Sequence, residues 1–221
     1  MFRNREDAGL QLADMLRDSP LQDPVVLGIP RGGVAVAAVL ARELGADLDV
    51  VLSRKLRAPY QPELAIGAIS EDGEMYLNRL GTEVAQESPD YLAEERQHQL
   101  AEIGRRKRLF RQARPRASVA GRTVIVTDDG IATGSTMLAA LHVVKAENAG
   151  EVIVAVPVGS PERLEEVGRW CDKLVCLRSP DNFWAIGQFY DDFSQVEDAE
   201  VIELLRSFAP GAPPQKAEVR Q

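Results

Sequence analysis

The chain has 221 residues, 45% of them hydrophobic and 27% charged, with a net charge of −8. That length can bury one good-sized core, and the acidic balance argues against a broad nucleic-acid face. No apolar run approaches the roughly 18 residues of a membrane span, and the charged start MFRNREDAGL is no signal peptide. Cys171 and Cys176, with His98 and His142, are too few for a disulfide framework or a Cys/His metal cluster. The expectation is a cytoplasmic protein with one domain over residues 1–209 and a disordered tail at 210–221.

In chain order, Asn4 with Asp7 three residues on predicts a capped first helix that turns Leu12 and Leu16 inward. Val25 to Ile29 reads as a buried strand, followed by Pro30-Arg31-Gly32-Gly33 and an alanine- and valine-rich helix from Val34 to about Leu44. Leu48 to Leu52 is a second strand, and Ser53-Arg54-Lys55-Leu56-Arg57 at its end is expected to put three cations on the same edge of the sheet, with a solvated basic turn the plain alternative. Ala65 to Ile69 and Met75 to Leu77, joined through Glu71-Asp72-Gly73-Glu74, predict a hairpin with an Asp-Gly turn. Ser88-Pro89 opens a long charged helix to about Gln112, expected to lie over the surface because its apolar positions are few. Its bases Arg105, Arg106, Lys107 and Arg108 are read as complementing the helix C-terminus, with closure over the site the alternative.

Further strands are expected at Val124–Val126, Val152–Val156 and Leu174–Leu177, with helices near 134–148, 161–169 and 198–207. Short apolar strands alternating with helices mark an α/β fold with an open, mainly parallel sheet and flanking helices. A hairpin and helical insertion at about 60–115 and a small hood or flap at about 179–197 interrupt that rhythm. The hood segment holds five of the chain's twelve aromatic residues, including Phe183, Trp184 and Tyr190. These could stack a flat base, form a plain flap, or make a homodimer contact, and the three readings stay open.

The most informative segment is Val124-Ile-Val-Thr-Asp-Asp-Gly-Ile-Ala-Thr-Gly-Ser-Thr136. A buried strand ends in Asp128 and Asp129, then turns through Gly130, Ile131, Ala132, Thr133 and Gly134 into a helix start bearing Ser135 and Thr136. In open α/β sheets ligands bind at the carboxyl ends of strands, and a helix start offers free N–H groups to a phosphate. The acid pair repels phosphate but accepts hydrogen bonds from vicinal hydroxyls, directly or through Mg2+. A ribose 5-phosphate has both features. The plain alternative is a solvated acidic turn capping a helix. There is no Walker lysine and no G-x-G-x-x-G, which excludes those phosphate loops.

The same thirteen residues resemble the 5-phosphoribosyl-1-diphosphate (PRPP) motif of type I phosphoribosyltransferases, and the β/α order from about 20 to 180 is consistent with it. The resemblance extends through the aromatic segment to a group of bacterial proteins provisionally labelled phosphoribosyltransferases. It implies that Asp128 and Asp129 hold the ribose hydroxyls and a Mg2+ ion, directly or through water, while Ala132 to Thr136 take the 5-phosphate. It implies that Arg31, Gly32 and Gly33 meet the pyrophosphate, as do Arg54 and Lys55, with Arg57 a lesser candidate and Arg31 and Lys55 the catalytic cations. Phe183, Trp184 and Tyr190 would belong to the base-binding hood. Ala132 stands where hypoxanthine-guanine members carry an acid that serves as base, so that chemistry is not expected; the pattern is closer to adenine phosphoribosyltransferases. The implied, Mg2+-dependent reaction moves the phosphoribosyl group from PRPP to a nucleobase or related nitrogen nucleophile with release of pyrophosphate, with a non-catalytic PRPP-binding regulator as the competing reading.

Overall fold

The computed structural model describes residues 1–209, the Glu63 side chain excepted, so the expectation for the tail at 210–221 lies outside the described residues. In chain order the elements begin with α1 (Arg5–Leu16), β1 (Val25–Gly28), α2 (Gly32–Leu44), β2 (Asp47–Val50) and β3 (Ser53–Ala58). Next come β4 (Gln61–Ser70), β5 (Met75–Leu77), α3 (Arg79–Glu87) and α4 (Pro89–Ala113). The chain continues with β6 (Thr123–Thr127), α5 (Ser135–Ala146), β7 (Glu151–Val158), α6 (Pro161–Gly168), β8 (Lys173–Arg178) and α7 (Asp198–Ser207).

Five strands form a parallel sheet in the order β2-β1-β6-β7-β8, as the apolar runs predict. Their side chains alternate between two cores. Val26, Leu48, Ile125 and Ile153 face one layer with Leu12, Leu16 and Leu40. Val25, Leu27, Val124, Val126, Val152 and Val154 face the other with Met137 and Leu141. Each such side chain, fully buried, stabilises the fold by about 1.5–3 kcal/mol. Asn4 caps α1 by accepting a 2.9 Å bond from the Asp7 amide, and Leu12 and Leu16 are buried as expected.

The chain runs from β1 outward to β2, then crosses back to place β6 on the other side of β1. The strand order therefore reverses between β1 and β6, where Gly28 pairs with Thr127. At such a reversal the loops leaving the two strands part and open a crevice at the carboxyl edge.

The insertion is more elaborate than its sequence suggests. Ser53–Ala58 is a strand rather than a turn, pairing antiparallel with β4 in a second sheet of order β3-β4-β5. The Asp-Gly turn between β4 and β5 is present, with Gly73 at φ 84°. Helix α4 is no surface rod. Leu92, Glu95, Gln99, Ile103, Phe110 and Ala113 fall three, four or seven residues apart and are buried along one stripe. Two of these six are polar, which disguised the stripe. Glu95 receives Arg57 through two bonds of 2.8 and 2.9 Å, and Gln99 accepts from Arg54 at 2.6 Å.

A buried ionic node pins the hairpin turn to the main sheet. Arg111 of α4 donates to both Glu71 oxygens at 2.9 and 2.6 Å and to Asp49 at 2.7 Å. Asp49 also accepts the amides of Val50 and Ala117 at 2.7 and 2.8 Å. The basic run of α4 reaches neighbouring segments rather than its own terminal carbonyls: Arg105 binds Asp198, and Lys107 binds the Glu71 carbonyl and Asp72.

Candidate active site

The loop after β6 is held by its apolar and small residues, which frees its polar ones. Ile131 is buried and donates its amide to Val158 O at 2.8 Å. Gly134 adopts φ 76°, where a Cβ would be strained, and lets the chain enter α5 at Ser135. The first amides of α5 have no partner within the helix and point out of its positive end. A cavity of about 120 Å³ opens there, lined by Asp128, the loop from Gly130 to Gly134, Thr136 and Ile186. Thr133 also faces a groove of about 370 Å³ between β4, α5 and α6, which takes in Ser135 and the stacked pair His142 and Trp170. Another cavity of about 370 Å³ lies between α1, α2 and α7 and contains none of the predicted site residues. The chemistry, not the size, singles out the small one.

The loop after β1 packs against the acid pair. Its Pro30–Arg31 peptide is cis, and Gly32 and Gly33 begin α2. A Cβ at Gly32 would fall 2.0 Å from Asp129 Oδ2, and one at Gly33 would fall 2.8 Å from Asp128 Cα. Only glycine lets the two loops touch this closely. Arg31 points toward the start of α7, where it lies 3.6 Å from Glu197 and 4.0 Å from Asp198.

The two acids are not equivalent. Asp128 lines the phosphate-sized cavity and accepts the Asp129 amide at 2.9 Å. Asp129 turns away to Arg5, whose Nε and Nη2 lie 2.9 and 2.8 Å from Oδ2. Arg5 in turn donates to Ser194 O at 2.8 Å and sits 4.0 Å over the Phe193 ring. Burial, then the charge of Asp129, pushes the Asp128 carboxyl well above the usual carboxylate range. Burial raises Asp129 too, but the Arg5 guanidinium opposes it. The two acids therefore differ in environment: Asp128 is the more strongly raised, and only Asp129 has a cationic partner in contact. Nothing in the sequence near Asp129 signals Arg5, which lies 124 positions away.

Arg54 and Lys55 are placed by β3, and successive residues of a strand face opposite sides, so these two cations do not share a direction. Arg57 is held by Glu95 of α4 through two hydrogen bonds. In the hood, Tyr190 is 5% exposed, packs between Phe2 and Phe193, and donates its hydroxyl to Asp129 O at 2.7 Å. Its ring is thus a brace for the acid loop, which corrects its reading as a base platform. Phe183 rests against Phe189 with ring centroids 5.4 Å apart. Trp184 is 88% exposed, and Ile186 supplies the hood's contact with the cavity.

Among the described residues no group of three or more His, Cys, Asp or Glu side chains could hold a metal ion. Two adjacent carboxylates beside a phosphate cavity still suit Mg2+, which binds through one or two carboxylates and takes its other oxygens from substrate phosphates and water. No helix among the described residues is long and apolar enough to cross a membrane.

Comparison with known proteins agrees with this geometry. A family model described as "Phosphoribosyl transferase domain" matches residues 3–194. A protein of Mycobacterium tuberculosis strain H37Rv, provisionally named a phosphoribosyl transferase, is 45% identical over 208 residues, which is 93% of this chain and 46% of that protein. The chain thus spans about half the length of the curated relatives it matches. The crystal structure of TT1426 from Thermus thermophilus superposes with a TM-score of 0.90 at 45% identity, covering 94% of this chain and 99% of that one.

Proposed function

Because the chain belongs to the phosphoribosyl transferase domain family, we propose that its β1–β6 crevice binds PRPP with Mg2+ and transfers the phosphoribosyl group to a small-molecule nitrogen nucleophile in the cytoplasm. The observation that carries this reading is the meeting of two loops. Asp128 lines the phosphate-sized cavity after β6, and the Gly32-Gly33 turn after β1 packs directly against Asp128 and Asp129.

In this reading the amides and hydroxyls from Thr133 to Thr136 hold the 5-phosphate, and Asp128 accepts from the ribose hydroxyls on the cavity side. Asp129, fixed by Arg5 and Tyr190, keeps the loop in place and supplies the site's standing negative charge. Arg31 and the glycine amides beside it receive the pyrophosphate, joined by one of the two β3 cations, Arg54 or Lys55, which face opposite sides of the strand. The bond from C1 to the pyrophosphate oxygen breaks, a bond from C1 to the acceptor nitrogen forms, and that nitrogen loses its proton. Asp128 and Asp129 would hold a Mg2+ ion, directly or through water, and that ion would supply positive charge toward the leaving pyrophosphate. Holding the sugar at both ends contributes through orientation, and the arginines contribute by stabilising developing charge. Ala132 offers no base at the position where an acid serves hypoxanthine-guanine members, so proton removal falls to solvent or to the acceptor's own chemistry.

The test is pyrophosphate release from PRPP and Mg2+ across a panel of nucleobases and simple amines. Release with one acceptor class supports the transfer reaction. PRPP binding without release under any acceptor assigns the chain a regulatory role instead, and absence of PRPP binding removes the reading altogether.

A further inference from the structure

The basic run of α4 contains one arginine whose position the fold does not explain. Gln99, Ile103 and Phe110 are buried along the inner stripe of the helix, and Arg106 falls on that stripe between the last two. Among the described residues its half-buried guanidinium makes no hydrogen bond and no ion pair within 4 Å, whereas Arg105 and Lys107 on either side are both paired. Its surroundings are cationic. Burial first, then the charges of Arg105, Arg54 and Arg31, push its proton affinity down, and Asp198 alone opposes them. Several like charges near a half-buried guanidinium favour an anion among them.

The nearby acid behaves as a substitute for that anion. Asp198 opens α7 and accepts from Arg105 through Oδ2 at 2.7 Å. Its other oxygen, Oδ1, is buried without a hydrogen-bond partner and lies 4.0 Å from Arg31 Nη1. A carboxylate oxygen facing an arginine beyond bonding distance neutralises charge without filling the site.

We infer that Arg106 is a further pyrophosphate-binding side chain, completing a cradle with Arg31 and Arg54, and that Asp198 holds the place of the anion until it arrives. The inference rests on the PRPP reading above and extends it to α4 and α7. Ligand phosphate oxygens would take the guanidinium donors of Arg106, and Arg31 would turn from Glu197 and Asp198 to the same group.

Titration calorimetry of the full chain with inorganic pyrophosphate and Mg2+ tests this directly. Arg106→Gln should weaken binding by about 10- to 100-fold, the usual effect of removing a charged hydrogen bond, while Arg106→Lys keeps part of it. Because the substitution removes like-charge repulsion, the urea midpoint of Arg106→Gln should stay level or rise, which a mere packing role would not produce. Asp198→Asn should tighten pyrophosphate binding several-fold. Wild-type affinity in Arg106→Gln sinks the inference while leaving the PRPP reading intact. Unchanged or weaker binding in Asp198→Asn removes the placeholder. A wild-type chain that binds neither pyrophosphate nor PRPP brings down both readings together.

Discussion

Replacing Arg5 with methionine should destabilise the fold more than any other single change at the candidate site. The substitution keeps the side chain's bulk but strips Asp129 of both contacts, at 2.9 and 2.8 Å, and leaves it beside Asp128 with only a small opening to water. Breaking a buried ion pair from one side costs about 3–5 kcal/mol. The bond to Ser194 O at 2.8 Å and the 4.0 Å contact with Phe193 are lost as well, which places the expected value in the upper part of that range. For a chain of this size about 3–5 kcal/mol lowers the thermal midpoint by about 6–20 °C. Urea unfolding followed by circular dichroism reads the change. The pH dependence identifies its cause. Without Arg5 both acids would have folded-state pKa values above their unfolded ones, so the penalty is full at neutral pH and fades as pH falls toward the ordinary carboxylate range. The gap between wild type and Arg5→Met should therefore narrow on acidification, and Asp129→Asn in the same chain should recover most of the loss. A cost under about 1 kcal/mol, the value of an exposed pair, or a gap that does not change with pH, would refute the argument.

Asp128→Asn should part stability from binding. Burial and Asp129 raise the folded pKa of Asp128, so the wild type loses stability as pH rises from the usual carboxylate range through that raised value. The variant escapes this loss and should unfold at higher urea at pH 8 but not at pH 4, while PRPP binding weakens by about 10- to 100-fold in calorimetry. Arg111→Met leaves Glu71 with only Arg116 at 3.6 Å among the described residues and should cost about 3–5 kcal/mol in urea titration, recovered in large part by adding Glu71→Met. Trp184→Ala should leave the thermal midpoint unchanged, since the indole is 88% exposed, yet raise the half-saturating acceptor concentration by about 10- to 100-fold if a base stacks on it.

The main sheet was legible because parallel strands roofed on both sides must be apolar throughout, as Val25–Leu27 and Val124–Val126 are. The acid-and-glycine loop was legible because its conformation demands small residues where they stand, Gly134 above all. In the second sheet the β4–β5 hairpin was legible from its Asp-Gly turn, but β3 was not. Strand β3 reads SRKLRA and buries only Leu56 and Ala58, and a register shift at Arg57 breaks its alternation. The inner stripe of α4 was hidden because Glu95 and Gln99, which look solvent-bound in a helix, turn inward to bind arginines of β3. Arg5 and Tyr190 escaped notice for a different reason. Each acts on Asp129 across a long stretch of chain, and a contact at that separation leaves no local pattern. Tyr190 was grouped with the hood by its aromatic neighbours, yet burial decides what a ring can touch.

The close fit of Gly32 and Gly33 against the acid pair has a bearing on how this site can be altered. A methyl group added to either glycine must displace an aspartate, so the turn after β1 cannot be reshaped without moving the acid loop after β6. Substitutions in the two turns should accordingly show large non-additive coupling. Ile186, which lines the cavity, and the exposed Trp184 lie outside that contact and are where substitutions should alter acceptor choice without this coupling.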